Sequence, residues 1–171
     1  DDWTFMFDIG MRYNPATDSW KRVAVLDAPE GRGLHTAVWT GSEMIVWGGS
    51  NGTTQLDTGG RYDPVTDTWM PVVTTGGPSA RIEHTAVWAA GEMIVFGGRS
   101  AGLAVADGGS YDPLSDSWTS LTPSGQDARR GHVAVWTGEY MVAWGGRNST
   151  GPIATGTRYR PSDSTCTPVT A

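Results

Sequence analysis

Three histidines occupy matching positions in the chain and are the first candidates for catalysis or metal binding. The segments that they begin are nearly identical: HTAVWTGSEMIVWGG from His35, HTAVWAAGEMIVFGG from His84 and HVAVWTGEYMVAWGG from His132. Imidazole is a common metal ligand and a general base near neutral pH. A shared metal site would need the three rings within about 2 Å of one ion, and repeat equivalents are spread around a ring and can meet only near its axis. We therefore interpret these histidines as a repeated structural feature, and we predict no catalytic residue, metal site or cofactor.

The histidines belong to a repeat whose period is visible in other residue types. Tyrosines recur at steps of 49, 49 and 48 residues, at Tyr13, Tyr62, Tyr111 and Tyr159. Tryptophans follow the same step at Trp20, Trp69 and Trp118, and Cys166 stands where a fourth would fall. Because large flat rings bury much area, we expect Tyr62, Tyr111 and the three tryptophans to fill the gaps between repeats. Asp18, Asp67 and Asp116 precede a strand, where a short polar side chain caps a turn.

Each repeat divides into four short strands, named A to D. HTAVW is an apolar first strand, and MIVW is a continuous apolar run suited to a strand buried on both faces. A glycine pair and a loop lead to GGRYDP, strand C, and TWMPV is the outer strand D. No window has a convincing helical period, so the chain is predicted to be all-β.

A four-stranded meander of this size cannot bury both of its faces alone, whereas radial stacking of like sheets buries them. The glycine pair, followed by a tyrosine and a tryptophan at set distances, resembles the kelch repeat over nearly the whole chain. RYNPATDSW and RYDPVTDTW are similar to bacterial kelch proteins in particular. The resemblance implies a β-propeller of six or seven blades, commonly a binding module, and an extracellular or periplasmic bacterial location.

The strands make up about three and a half blades. We expect a half-blade of C and D strands over 1–25, and full blades over 32–73, 81–121 and 129–170. An open end would expose an apolar blade face. Closure is therefore expected from a second copy, by self-association, or from the remaining blades of a longer chain.

Composition excludes some partners. The net charge of −6 argues against binding of nucleic acid. The sequence contains no run of eighteen apolar residues, the length needed to span a membrane. Galactose oxidase, an enzyme built on kelch-like blades, uses tyrosines, histidines and a cross-linked cysteine around copper. The single Cys166 stands instead at a structural tryptophan position, so we interpret it as part of a degenerate final repeat.

The copies diverge mainly in two sets of loops. The A–B and C–D turns are short and nearly constant, whereas the B–C and D–A loops differ between copies and share the other face of the disc. Since loops carry recognition while the frame stays fixed, this face is the predicted binding surface. Its candidate ligand-binding residues are Arg32, Asn51, Arg81, Arg99, Arg129, Arg130, Arg147 and Asn148.

The arginines suggest an acidic ligand, because guanidinium groups bind carboxylates through two hydrogen bonds. An acidic peptide, a protein, a uronic acid or a sialic acid would fit. Two alternatives apply to single residues. Arg32, Arg81 and Arg129 could instead pair within the fold, and Asn51 and Asn148, which match a glycosylation acceptor pattern, could be turn residues. Two alternatives apply to the whole chain: part of a carbohydrate-active or oxidase enzyme with its catalytic residues elsewhere, or a structural protein that forms assemblies.

Overall fold

A computed structural model describes residues 9–121 and 126–170, and every regular element in them is a β-strand. The chain begins with a hairpin of two strands, β1 (Met11–Asn14) and β2 (Ser19–Arg22). This hairpin is the C and D pair of the half-blade. Residues 1–8 of the predicted half-blade and residues 122–125 of the last D–A loop lie outside the described part.

Three four-stranded sheets follow, each an antiparallel meander in chain order. The first blade contains β3 (Thr36–Trp39), β4 (Met44–Trp47), β5 (Gly59–Asp63) and β6 (Thr68–Pro71). The second contains β7 (Thr85–Ala89), β8 (Glu92–Phe96), a short hairpin of β9 (Arg99–Ser100) and β10 (Leu103–Ala104), β11 (Gly108–Asp112) and β12 (Ser117–Leu121). The third contains β13 (Val133–Trp136), β14 (Met141–Trp144), a short hairpin of β15 (Arg147–Asn148) and β16 (Gly151–Pro152), β17 (Gly156–Arg160) and β18 (Thr165–Val169). The predicted all-β fold of stacked four-stranded blades is confirmed.

The blades are assembled with their A strands side by side. Strand β7 contacts both β3 and β13, the A strands of the neighbouring blades. Strands B, C and D then follow outward in order, so that the D strands form the outer rim. The structure thus has the radial arrangement of a propeller segment.

The hydrophobic core lies between blades. At the first interface, Ile45 and Trp47 of the first blade pack with Met93, Tyr111 and Trp118 of the second, and all of these side chains are buried. A second cluster joins Ile94 and Phe96 of the second blade to Met141 and Ala143 of the third. Each blade therefore depends on its neighbour to bury its apolar face.

Polar contacts tie the rim of each blade to the next. The indole Nε1 of Trp69 donates to the Ala24 carbonyl at 2.9 Å, and the Asp67 carboxylate accepts the Ala24 N–H at 3.1 Å. Asp67 also accepts the hydroxyl of Tyr62 at 2.6 Å. At the next interface, Trp118 donates to the Val73 carbonyl and Asp116 accepts the Val73 N–H in the same way. The segment that follows the D strand of one blade is thereby held by the tryptophan and the aspartate of the following blade.

This contact corrects the predicted role of the aspartates. Asp67 and Asp116 have positive φ angles of 58° and 47° and link two blades through their carboxylates, so the capping role assigned to them is wrong. The C–D turns are capped instead by the residue that ends strand C. Asp63 accepts the N–H of Val65 at 2.7 Å, and Asp112 accepts that of Leu114 at 2.9 Å.

Candidate ligand-binding face

The B–C and D–A loops lie on one side of the blades and contact one another there. Ser79 of a D–A loop and Ser100 of the neighbouring B–C loop are joined by hydroxyl groups 3.0 Å apart. On the opposite side, Arg160 at the end of a C strand donates to Glu139 of an A–B turn at 2.6 Å. We call the first side the loop face and the second the turn face.

Three of the predicted ligand-binding arginines lie inside the frame. Nη1 of Arg81 donates to the carbonyls of Gly97 and Asp107, at 2.9 and 3.1 Å. Arg32 and Arg129 make equivalent pairs of bonds in their own blades. In each case the two acceptors are the backbone carbonyls sixteen and twenty-six residues after the arginine. The structure thus shows the internal pairing that the sequence left as an alternative.

Burial explains why these arginines are structural. Arg81 is 0% exposed and Arg129 is 1% exposed. Removal from water lowers the pKa of Arg32 and of Arg129 below the ordinary arginine value. Arg81 also has a carboxylate, that of Asp107, at 3.2 Å. Each buried arginine ties the entry of an A strand to the glycine pair and to the end of the B–C loop, and so fixes the base of the loop face.

The histidines form hydrogen bonds between blades. Nε2 of His84 lies 2.9 Å from the Thr36 hydroxyl, and Nε2 of His132 lies 2.8 Å from the Thr85 hydroxyl. A Cβ on Gly48 would lie 2.7 Å from the His84 ring, so the first glycine of the pair is needed for this approach. The rings of His84 and His132 therefore bond to the preceding blade.

Their surroundings hold the buried histidines neutral. Burial, with the nearby guanidinium of Arg81 second, lowers the pKa of His84 to about 3. Burial and Arg129 lower the pKa of His132 to about 4. Within the described residues, no three His, Cys, Asp or Glu side chains are grouped so as to hold a metal ion.

A second set of arginines stands on the loop face itself. We call Arg99, Arg130 and Arg147 the loop-face arginines, and the first two flank the carboxylate of Glu83. Arg130 donates to Glu83 at 2.7 Å, and Nε of Arg99 lies 3.9 Å from the other carboxylate oxygen. Arg147 is exposed and pairs with Arg130 through backbone bonds of 3.0 Å in both directions, which places the two residues directly opposite each other.

The charges in this cluster are unequal. Glu83 is the one carboxylate within the described residues that pairs with any of these three arginines, and it pairs with Arg99 and Arg130. Nε of Arg99 is buried and has no hydrogen-bond partner there. The cluster therefore combines excess positive charge with an unused donor, and its arginines are partly or fully accessible.

Glu83 itself has a strained backbone. It follows Arg81 by two positions and has a φ of 57°; Leu34 and Gly131 occupy the equivalent positions with φ angles of 58° and 59°. Such angles cost little for glycine and about 1–2 kcal/mol for other residues. Sequence reasoning missed Glu83, although the change from Leu34 to Glu83 to Gly131 within the repeat could have indicated it.

The asparagines on the loop face stabilise their own turns. Asn51 accepts the N–H of Thr53 and Thr54 at 3.0 and 2.8 Å, and its amide donates to Glu30 at 3.0 Å. Asn148 accepts the N–H of Thr150 at 2.9 Å. These oxygens are engaged within the loops, so the asparagines position the face and do not belong to the arginine cluster.

The aromatic residues at repeat positions differ in burial according to their interface. Tyr111 is fully buried and Trp118 is 9% exposed, whereas Trp20, on the half-blade, is 64% exposed. Cys166 takes the tryptophan position of the last blade, where its thiol lies 3.3 Å from the Thr157 hydroxyl. Burial raises the pKa of this thiol, so it is not poised as a nucleophile.

Comparison with known proteins agrees with this architecture. The protein-family model for the KLHDC2/KLHL20/DRC7 Kelch-repeats domain matches the sequence over residues 4–163. No curated protein is significantly similar to the chain. The described residues contain no helix long and apolar enough to cross a membrane.

Proposed function

The chain belongs to the kelch-repeat family, whose domains are protein-interaction modules in general, and we propose that it binds an acidic segment of a partner protein through the loop face. Arg99, Arg130 and Arg147 are the residues proposed to hold the carboxylates. The remaining blades and turns serve as the frame that positions them.

The observation that carries this proposal is the contrast between two sets of arginines. Arg81 and Arg129 are buried and bonded to backbone carbonyls, and this arrangement recurs in every full blade. Arg99 and Arg147 follow the glycine pairs directly, where the first blade has Ser50, and they reach the surface. Because these charged residues are not present in every copy of the repeat, the blade fold does not require them. They lie together on one face, where they are available to a ligand.

The chemistry of the cluster favours carboxylate ligands. Glu83 already shows how a carboxylate fits between two of these arginines, since its two oxygens face Arg130 and Arg99. A ligand carboxylate could approach Arg147 and the outer side of Arg130 in the same manner. The chain carries a net charge of −6, so attraction of an acidic ligand has to come from this local cluster and should weaken with added salt. The predicted extracellular or periplasmic location stays a prediction.

A binding titration with charge-matched variants tests the proposal. Fluorescein-labelled hexaglutamate is the probe, and Arg99→Ala/Arg147→Ala is the test variant. Arg158→Ala/Arg160→Ala removes the same charge from the turn face, where both guanidinium groups lie over the Tyr140 ring. We expect salt-sensitive binding that the first variant weakens at least about tenfold, and the second by less than about twofold.

Two outcomes would count against it. Equal losses in the two variants would mean that the probe responds to overall charge and not to the loop face. Binding of 3′-sialyllactose without binding of hexaglutamate would replace the acidic protein segment by an acidic glycan.

A further inference from the structure

The four D strands lie at the outer edges of the blades. Each pairs with a C strand on one side, and within the described residues none has a strand on its other side. Such an edge presents backbone N–H and C=O groups to which another chain can pair, and proteins commonly block it with proline or with charged side chains. The D strands β2, β6, β12 and β18 can therefore be compared for the block that each of them carries.

The bonds of the first blade show which backbone groups of a D strand point outward. The N–H of Val72 points inward and donates to the Gly59 carbonyl at 3.1 Å. Because backbone groups alternate between the two sides of an antiparallel strand, those of Pro71 point outward. The register of β11 with β12 matches that of β5 with β6, so the backbone groups of Ser120 point outward in the second blade.

Three of the four residues at this outward position block the edge. Proline has no N–H to offer, and an arginine that follows a lysine places two charges on the strand. In chain order, the four residues are Arg22, Pro71, Ser120 and Pro168. Ser120 is exposed and belongs to the strand SWTSL, which has neither proline nor charge. Its N–H has no hydrogen-bond partner within the described residues, so the edge of the second blade is open to pairing.

The side chains along this edge are small and carry hydroxyl groups. The loop beside β12 follows Val73, whose carbonyl accepts the indole N–H of Trp118 at 2.8 Å. Neither β12 nor residues 72–77 include a charged residue. The exposed hydroxyl side chains are Ser117, Thr119 and Ser120 of β12 and Thr74 and Thr75 of the loop. Because β-branched residues and threonine pairs stabilise neighbouring strands, this edge favours a partner strand rich in threonine and valine.

A carboxylate without a basic partner lies at the start of the edge. Asp116 directly precedes β12, and its equivalent in the first blade, Asp67, has Nζ of Lys21 at 3.5 Å. Met70 takes the position of that lysine beside the second blade, and within the described residues Asp116 forms no salt bridge. A basic residue of the occupant could therefore pair with it. Residues 116–122 include no lysine or arginine, so the β12 of a second copy would not supply one.

From these features we propose that the outer edge of β12 binds an extended segment of a partner protein by strand addition. The segment lies antiparallel to β12, is rich in threonine and valine, and has a lysine or arginine at its C-terminal end, which is the end beside Asp116. The backbone groups of Trp118 and Ser120 form the hydrogen bonds to it, and the side chains along the edge select an uncharged middle portion.

A peptide titration of the whole chain tests this proposal separately from the loop face. The probe is the synthetic peptide acetyl-VTVTVK-amide, labelled with a fluorophore. Ser120→Pro removes the outward N–H, and Pro71 and Pro168 show that the blade accepts proline at this position. Ser120→Ala keeps the N–H and is the matched control. We expect one peptide per chain and slower hydrogen exchange of the Ser120 amide, with binding weakened at least about tenfold by Ser120→Pro and less than about twofold by Ser120→Ala.

Changes in the peptide test the mode of binding. N-methylation of single amides should weaken binding at alternate positions, because only every second N–H of an added strand faces β12. Replacement of the peptide lysine by glutamate should also weaken binding, since Asp116 would then face a like charge. Hexaglutamate binding should be the same for Ser120→Pro and the unaltered chain, because the loop face is not involved.

Some results would overturn the assignment. Equal binding by Ser120→Pro and Ser120→Ala, or equal losses at every N-methylated position, would show that strand addition at β12 is not the mode of binding. A chain that is dimeric without peptide and monomeric as Ser120→Pro would replace the partner protein by a second copy. Denaturation of both variants before the titration checks that they are folded, so that a loss of binding is not a loss of the blade.

Discussion

The Nε2 atom of His84 lies 2.9 Å from the hydroxyl of Thr36, forty-eight residues earlier in the chain and in the preceding blade. The contact repeats between His132 and Thr85, and it depends on a glycine in the preceding blade that leaves room for the ring. Two of the three histidines that suggested a metal or catalytic site are thus part of the polar connection between neighbouring blades.

Stability should fall on mild acidification because of these two histidines. Their pKa values in the folded chain, about 3 for His84 and about 4 for His132, are below the ordinary 6.5. Below pH 6.5 the unfolded chain takes up protons that the folded chain excludes, so acid favours unfolding. We expect the free energy of unfolding to decrease between about pH 6.5 and pH 5, by up to roughly 1.4 kcal/mol per pH unit for each histidine.

Urea denaturation across this pH range measures the effect. The variant His84→Gln/His132→Gln should be less stable at pH 7 and should show a much smaller dependence on pH. Identical slopes for the two proteins would contradict the neutral, buried state of the histidines. Aspartates contribute little in this window, because their ordinary pKa is near 4.

The tryptophans of the repeat should differ in their contribution to stability. Trp118 is 9% exposed and donates to the Val73 carbonyl, whereas Trp20 is 64% exposed. We expect Trp118→Ala to cost about 3–5 kcal/mol. Trp20→Ala, the matched control, should cost less than about 1 kcal/mol. Chemical denaturation of both variants tests this, and equal losses would show that burial between blades is not what distinguishes them.

The buried arginines and the loop-face arginines should differ in their contribution to the free energy of unfolding, measured by the same chemical denaturation. Arg81→Ala leaves the carbonyls of Gly97 and Asp107 without their donor in a buried site, which we expect to cost at least about 2 kcal/mol. Arg147→Ala removes an exposed side chain and should change the free energy of unfolding by no more than about 0.5 kcal/mol. A strong destabilisation by Arg147→Ala would assign it to the frame.

Relief of backbone strain should stabilise the first blade. Leu34 has a φ of 58° and is 51% exposed, so it loses little contact on replacement. Because Gly131 has the same φ at the equivalent position, Leu34→Gly should raise the free energy of unfolding by about 0.5–1 kcal/mol. Gly131→Leu is the reverse change and should lower it by a similar amount. A thermal melt in which both variants are destabilised would contradict this.

Much of the fold could be predicted because the same residue types recur at a constant step. The pattern of a glycine pair, a tyrosine and a tryptophan is enough to place strands B, C and D in each copy. The link from Asp67 to Ala24 could not be predicted, since it joins residues 43 positions apart in different blades, and nothing near Asp67 in the chain indicates its partner. The short hairpins that begin at Arg99 and Arg147 were also missed, because each of their strands has only two residues.

The candidate site was predictable only in part. Arg81 and Arg99 are the same residue type, and the sequence alone does not separate the buried one from the accessible one. Their difference arises in three dimensions, where the Asp107 carbonyl at the end of the B–C loop accepts a hydrogen bond from Arg81 while Arg99 faces Glu83. The choice of face was a sounder inference, because loop divergence between copies is visible without a structure.

Mapping the bound ligand by NMR tests the central claim most directly. Hexaglutamate is titrated into the isotopically labelled chain, and amide shifts are followed on both faces. The proposal predicts perturbations centred on Arg99, Arg130 and Arg147, with Glu139 and Arg160 on the turn face unchanged. Perturbations centred on the turn face, or spread evenly over both faces, would contradict it.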